Sequence, residues 1–519
     1  MTREVDVVLN PEDASIPRQI QKKACLEAGI SPNVISGYHI LKRSVDARRR
    51  PIVVRLKVML FWDEPVQPVV QQFKWEDVSR APEVVVVGAG PAGLFAALRL
   101  VELGIKPLII ERGKPISDRK RDIAILNRNQ GLDPDSNYCF GEGGAGTFSD
   151  GKLYTRSKKR GDVRRVLEIL HLHGSDESIL YDSHPHIGTD RLPGIVTNIR
   201  QTLTDHGAVF FFNRRVNGMV IREGRAVGVT TVQGETITGK AVILATGHSA
   251  IDIYQMLREA GLRMEVKGFA MGVRIEHPQL LIDQLQYHSR EGRGKYLPAA
   301  EYTLVKNVAG RGVYSFCMCP GGIIVPSSTL ENEAVVNGMS NSLRNSPFAN
   351  SGLVVEIRPE DLGQYQEHGP FAGLAYQQDL ERSAFRYGGS GQTAPAQRLT
   401  DFTANRNSSS LPDHSYHPGL VCSPMHQWLP DDIRLRLQEG LRFFGRRMKG
   451  FLTDGAIMAG VESRTSSPVR IIRDPETGNH PDLPGLFPAG EGAGYAGGIV
   501  SSAMDGELAA SAAARFIFS

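Results

Sequence analysis

Three glycines at 88, 90 and 93 follow four consecutive valines, Val84 to Val87, and open a segment rich in alanine and leucine, Leu94 to Leu103. At a strand-to-helix junction this G-x-G-x-x-G spacing suits a dinucleotide pyrophosphate. Gly88 permits the tight turn and Gly90 lets the backbone approach the phosphates. Gly93 lets the helix pack on the strand while the helix start at Pro91 and Ala92 faces the phosphates. Glu111 closes the next strand, 23 residues after Gly88, close to the spacing of about 20 expected of an acid that accepts hydrogen bonds from ribose hydroxyls. Arg112 follows it. The same glycine pattern recurs at Gly141/Gly143/Gly146 and Gly492/Gly494/Gly497 without a following strand and acid, so context identifies the first match and the pattern alone does not.

The other end of the chain bears on which dinucleotide this is. A short strand, Gly485-Leu-Phe-Pro-Ala-Gly490-Glu491, precedes Gly492-Ala-Gly-Tyr-Ala-Gly497-Gly498-Ile499 and a helix to about Phe516. This resembles the flavin-contacting segment of FAD-dependent oxidoreductases of the glutathione-reductase type. Ala241-Val-Ile-Leu-Ala-Thr246-Gly247 looks like the strand end those proteins place near FAD. A helix starting at Ile499 carries about half a positive charge at its N-terminus and would stabilise negative charge on a reduced flavin without a titrating side chain.

Five glycines precede Lys152 in Phe140-Gly-Glu-Gly-Gly-Ala-Gly146-Thr147-Phe-Ser-Asp150-Gly-Lys152, among them Gly143 and Gly144; backbone N–H groups there could crowd an anion or a planar ring. Together with Cys317-Met-Cys319-Pro-Gly-Gly322, Asn337-Gly-Met-Ser340, Glu462-Ser-Arg464-Thr-Ser-Ser-Pro468-Val-Arg470 and the Ala-Gly-Glu end, this resembles, over nearly the whole chain, a family of bacterial and plastid FAD-dependent dehydrogenases of unassigned substrate. The resemblance implies that 141–152 folds over the flavin and that the Val216 backbone meets the adenine. It names no reaction.

Other candidates are single residues. His248 follows Thr246-Gly247 and is a proton-transfer candidate; Tyr495, inside the last glycine turn, is another. Cys317 and Cys319 on a strand would share one face about 6.6 Å apart, at the long edge of disulfide geometry, as a redox pair or as buried thiols. His171/His173, His184/His186 and His414/His417 have no Cys or acidic partner at ligand spacing, so they read as surface or loop histidines and no metal is expected.

The elements that must position these residues are those of an α/β protein. The 519 residues are 41% apolar and 22% charged, which excludes disorder and fibres. Five scattered cysteines and an acidic N-terminus argue against disulfides and a signal peptide, and the longest apolar uncharged run, 84–98, is too short to span a bilayer; a cytoplasmic protein is expected. The expected architecture is a Rossmann-like FAD-binding domain of the glutathione-reductase type, formed by 81–260 and 456–519, with an inserted mixed α+β substrate domain at 261–455. A small N-terminal α/β domain at 1–80 precedes it, with strands Val5 to Leu9 and Val54 to Leu60 and a helix Ile16 to Ala28. Residues 388–419 read as a long loop.

The net charge is only +4, and 13 basic against 10 acidic side chains in residues 1–80 hold most of that excess. Lys42, Arg43, Arg48, Arg49 and Arg50 form a basic cluster that reads as a solvated turn or a domain contact, and is the one hint of nucleic acid. The expected function is an FAD-dependent oxidoreductase passing hydride through flavin N5 between small molecules, with NAD(P)H, if used, binding transiently because no second dinucleotide fingerprint is present. A flavin-dependent RNA-modifying enzyme and a non-enzymatic FAD-binding regulator are the alternatives.

Overall fold

The computed structural model describes residues 1–155 and 161–519. The strand before the first glycine turn, Glu83–Val87, lies in the middle of a five-stranded sheet whose order is Leu486–Pro488, Val242–Leu244, Glu83–Val87, Lys106–Ile110, Val209–Phe211. Every pairing in it is parallel. A parallel sheet is covered on both faces, so its strands are apolar throughout instead of alternating. Val84 and Val86 pack into one core with helices Pro91–Glu102, Leu192–Asp205 and Ile499–Phe518. Val85 and Val87 point into another, against helix Ile251–Glu259 and the three-stranded antiparallel sheet of Val216–Arg222, Arg225–Thr231 and Thr236–Thr238.

The first glycine turn is set by sterics. Gly88 has φ +103°, and a Cβ built at Gly93 would lie inside contact distance of the Gly88 carbonyl oxygen; only glycine allows the helix to start this close to the strand.

A second layer is a seven-stranded sheet, ordered Val305–Val308, Arg311–Cys319, Phe348–Ile357, Phe269–Pro278, Ile457–Glu462, Ala394–Arg398, Leu420–Cys422. Its pairings are antiparallel except the last. Helices Ala372–Gly388 and Asp431–Arg447 bury Leu380, Ala384, Leu437, Leu441 and Phe444 against it.

Three expectations need correction. The strand Ile457–Glu462 pairs with Phe269–Pro278 and Ala394–Arg398, so the antiparallel sheet runs past the expected division at 455. Its residues are all buried, which the sequence pattern alone cannot assign to one sheet or the other. The stretch 388–419 is not one loop, because it holds the strand Ala394–Arg398 and the helix Leu399–Thr403. Both are short and their signal is masked by flanking Gly, Ser and Asn.

The N-terminal unit, Thr2–Leu9, Pro17–Ala28 and Val53–Trp62, contains a third strand, Ile35–Asp46, at its sheet edge. Lys42 and Arg43 lie in that strand and not between elements. Arg43 pairs with Asp182 at 2.5 Å, and its backbone exchanges hydrogen bonds with Tyr181 and Ser183, so it is a contact to the body of the protein. Arg48 is held by Asp46 at 2.7 Å. Lys42, Arg49 and Arg50 are exposed. Among the described residues no helix is long and apolar enough to cross a membrane.

Candidate active-site cleft

The carboxyl ends of the parallel strands open into a cleft of about 260 Å³, the position where open α/β sheets bind ligands. Its walls come from segments far apart in sequence. The first turn supplies Gly88, Gly90, Pro91 and Ala92; the next strand end, Glu111 and Arg112; the 140s segment, Gly144, Gly146, Asp150 and Lys152. Val216, Thr246, Gly247, His248, Glu491, Gly498 and Ile499 complete that side; Cys317 and Cys319 reach in from the antiparallel layer, and Asn337 and Gly338 from a two-stranded sheet of Gly322–Pro326 and Val336–Ser340. A Cβ at Gly492 would collide with the Gly247 carbonyl oxygen, so glycine at 492 is what lets the last turn meet the Thr246-Gly247 strand end.

Five expected contacts lie outside the lining. Gly93 serves packing, as above. Gly143 donates its N–H to the Ala89 carbonyl at 2.8 Å, which fixes the 140s segment against the first turn, and Thr147 donates its hydroxyl to the Glu142 carbonyl at 3.0 Å, which closes that segment on itself. Gly490 donates to Asp505 at 2.7 Å and Gly497 to Ser501 at 3.1 Å. Tyr495 is also outside: its hydroxyl accepts the Arg473 N–H at 3.2 Å and the Arg473 guanidinium stacks 3.9 Å over its ring.

Glu111 is more committed than its spacing implies. One oxygen accepts N–H from Ala89, the other from Gly113 and Gly141, all at 2.9 Å. A carboxylate has about four lone-pair sites, so three backbone donors leave about one for a ligand hydroxyl. Arg112 is pinned by Asp135 at 2.8 Å and Asp252 at 3.0 Å, and lies 4.1 Å over Phe140.

At the opposite wall Lys152 sits 3.2 Å from Asp150 and 3.6 Å from the Cys319 sulfur. Burial opposes the lysine charge, but Asp150 and the two thiols hold its pKa above the ordinary value. Asp150 in turn pairs with Arg344 at 2.8 Å and accepts the Ser340 hydroxyl. These two cations overcome its burial and keep it well below the usual carboxylate range. Arg274, fully buried, bonds Glu462 at 3.1 Å and directs a second N–H at Cys319, 3.4 Å away. The signals for Asp150, Arg274 and Arg344 were absent from their spacing, since each is recruited from a different layer.

His248 and Glu491 face each other, Nδ1 to Oε1 3.6 Å. Burial, with Arg464 and Lys267 nearby, pushes His248 down to about 4. Burial pushes Glu491 up to about 7 against the opposing Gly498 amide and Lys267. Near neutrality the histidine is therefore uncharged and the acid is half protonated. The folded state binds more protons than the unfolded chain between about pH 4.5 and 7 at Glu491, so this group's stability contribution falls as pH rises through that window. Glu491→Gln should match the wild type near pH 5 and exceed it by pH 8, by on the order of 1–3 kcal/mol, read as thermal midpoints across pH.

His173 is buried, not at the surface, between the Ile169 carbonyl and the Thr202 hydroxyl; His184 pairs with Glu301. Among the described residues no group of three or more His, Cys, Asp or Glu could hold a metal ion.

The residues present suit FAD on the structure's own terms. A Cβ at Gly247 or Gly498 would meet nothing within 4 Å, and one at Gly90 only the Gly144 Cα at 3.8 Å, so the backbone is bare where a ligand would lie. Helices Pro91–Glu102 and Ile499–Phe518 both start at this cleft, from Gly90 and Gly498, with no side-chain cap. Two uncapped helix starts supply amides and partial positive charge for an anionic ligand.

Fold and cleft together define a flavoprotein of the FAD-dependent oxidoreductase class with a Rossmann-type sheet. Residues 81–128 match a family described as FAD binding domain, 192–314 FAD dependent oxidoreductase, and 268–465 FAD-dependent protein, C-terminal domain-like. Residues 1–61 match a domain of unknown function. An uncharacterized protein of Clostridium beijerinckii is 39% identical over 507 residues, 94% of each chain. The chain belongs to the same family, one of uncharacterised FAD-dependent oxidoreductases. Sarcosine oxidase subunit beta of Rhodobacter capsulatus is 26% identical over 39% of this chain and 59% of its own. A geranylgeranyl bacteriochlorophyll reductase-like structure from Thermoplasma acidophilum aligns with TM-score 0.36 and 14% identity over 84% of this chain and 78% of that one.

Proposed function

We propose that the cleft holds FAD with its adenosine toward Glu111, Arg112 and Val216, its pyrophosphate at the start of helix Pro91–Glu102, and its ring toward Lys152 and the Ile499 helix start. The observation that carries this is the convergence of two uncapped helix starts and a row of bare glycines on one cleft. FAD, when bound, supplies two-electron chemistry, accepting hydride at N5 from one substrate and releasing it to another. The chain's part is to bind, orient and hold charge. Amides 499–502 favour negative charge beside them, Lys152 adds a fixed positive charge, and Glu491 with His248 holds a proton that can move near neutral pH.

The antiparallel layer, which supplies Cys317 and Cys319, together with the two-stranded sheet that supplies Asn337 and Gly338, is the substrate-facing wall in this reading, and the parallel sheet with its helices is the FAD-binding unit. NAD(P)H is a transient hydride donor, since the later glycine matches lack the strand and acid of a second dinucleotide fold. The family supports an oxidoreductase and favours neither the RNA-modifying nor the regulatory alternative.

The visible spectrum of the purified protein tests the core claim: flavin absorbance, or its appearance on adding FAD after refolding, is expected. Protein that shows neither ends the proposal. Anaerobic bleaching of that absorbance by NADH or NADPH should then identify the donor, and bleaching by neither would remove nicotinamide from the scheme.

A further inference from the structure

Cys317 and Cys319 both line the cleft, Cys317 exposed to it and Cys319 buried in its wall. They end the strand Arg311–Cys319 at a break in its ladder. Phe316 lies opposite Gly352 and Cys319 opposite Asn350, three steps of chain against two. Cys317 adopts φ +43° there, a left-handed conformation uncommon outside glycine.

Regular strand geometry puts residues two apart at about 6.6 Å, close to the long limit of about 6.8 Å for a disulfide. A bulge contracts the chain along the strand, which relaxes that limit. The Cys319 side chain leans the same way, its thiol donating to the Cys317 carbonyl oxygen at 3.3 Å. Lys152 and Arg274 direct N–H groups at the Cys319 sulfur from 3.6 and 3.4 Å, while burial pushes the Cys317 thiol up to about 12.

Of these two cations Arg274 is matched by Glu462, and Lys152 shares Asp150 with Arg344.

We propose that Cys317 and Cys319 are a dithiol–disulfide couple that exchanges two electrons with a flavin bound in the same cleft. This rests on the FAD reading above. Closing the couple breaks two S–H bonds, forms one S–S bond, and releases two electrons and two protons. The oxidised flavin is the acceptor of the electron pair and one proton, and the second proton passes to solvent; opening the disulfide is the reverse.

The test is anaerobic dithionite titration of FAD-loaded protein first oxidised with diamide, with peptide masses recorded before and after. Both cysteines fall in the tryptic peptide 312–344. Wild type and Cys422→Ser should take up about four electrons per flavin, and Cys317→Ser about two. Peptide 312–344 from oxidised wild type should be lighter by two hydrogens and regain them on reduction. Uptake of about two electrons by flavin-loaded wild type, with that peptide's mass unchanged, overturns the couple and leaves FAD binding intact. If no flavin is bound, the FAD reading and the proposed exchange fall together, and a peptide that still loses two hydrogens then reports a disulfide without a flavin partner.

Discussion

Replacing Gly90 by valine should leave a folded protein that no longer retains flavin, whereas replacing Gly93 by alanine should damage the fold itself. The two glycines are three residues apart in one motif, yet they face different surroundings. Gly90 has φ −77°, open to any residue, and a Cβ there meets only the Gly144 Cα at ordinary contact distance. Valine's two methyls would occupy the space in front of the helix start, where phosphate oxygens must reach the amides. At Gly93 the added carbon would run into the Gly88 carbonyl, a backbone group that cannot move without opening the turn. Overpacking typically costs about 1–3 kcal/mol, and more when the neighbour cannot yield. Flavin-to-protein absorbance and thermal midpoints read the two effects separately. Stoichiometric flavin in Gly90→Val would refute the pyrophosphate assignment.

The second large effect is at Glu111. Truncation to alanine leaves the N–H groups of Ala89, Gly113 and Gly141 without their acceptor in a buried turn. Each unsatisfied donor costs about 1–3 kcal/mol, so the loss sums to several kcal/mol, a fall of on the order of 10 °C in melting temperature for a chain of this size. Glutamine keeps one acceptor oxygen and should lie between. The decisive measurement is made on FAD-free protein. A carboxylate that served only ribose hydroxyls would leave the apoprotein's midpoint unchanged, and that result would show the three hydrogen bonds to be dispensable.

Much of the FAD side was legible in the chain. Four valines, three glycines and an acid at Glu111 specify a strand, a turn and a second strand through local sterics, and local sterics are written in residue order. The strands found at Glu83–Val87, Lys106–Ile110 and Val242–Leu244 overlap those expected, and the two later glycine clusters converge on the same cleft. Tyr495 shows the limit of chain position as a guide: it lies among these glycines, yet Arg473 takes its hydroxyl and its ring.

The remaining decisions belong to tertiary structure. Whether the Lys42 to Arg50 cluster is free charge depended on Asp182, 139 residues from Arg43, and on a strand whose register only its neighbour defines. The environment of Cys319 is assembled from Lys152 and Arg274 by two separate segments, because electrostatic partners in a buried site are selected by packing distance and not by sequence spacing. By itself, then, the sequence determined that this protein has a strand, glycine turn and helix over 83–102 and later glycine segments that meet the same cleft. Only the folded chain decided that Glu111 braces that turn, that the antiparallel layer forms the opposite wall, and that two thiols stand there beside buried cations, since each of these depends on contacts across more than a hundred residues or on hydrogen bonds that exist only once the turn is closed.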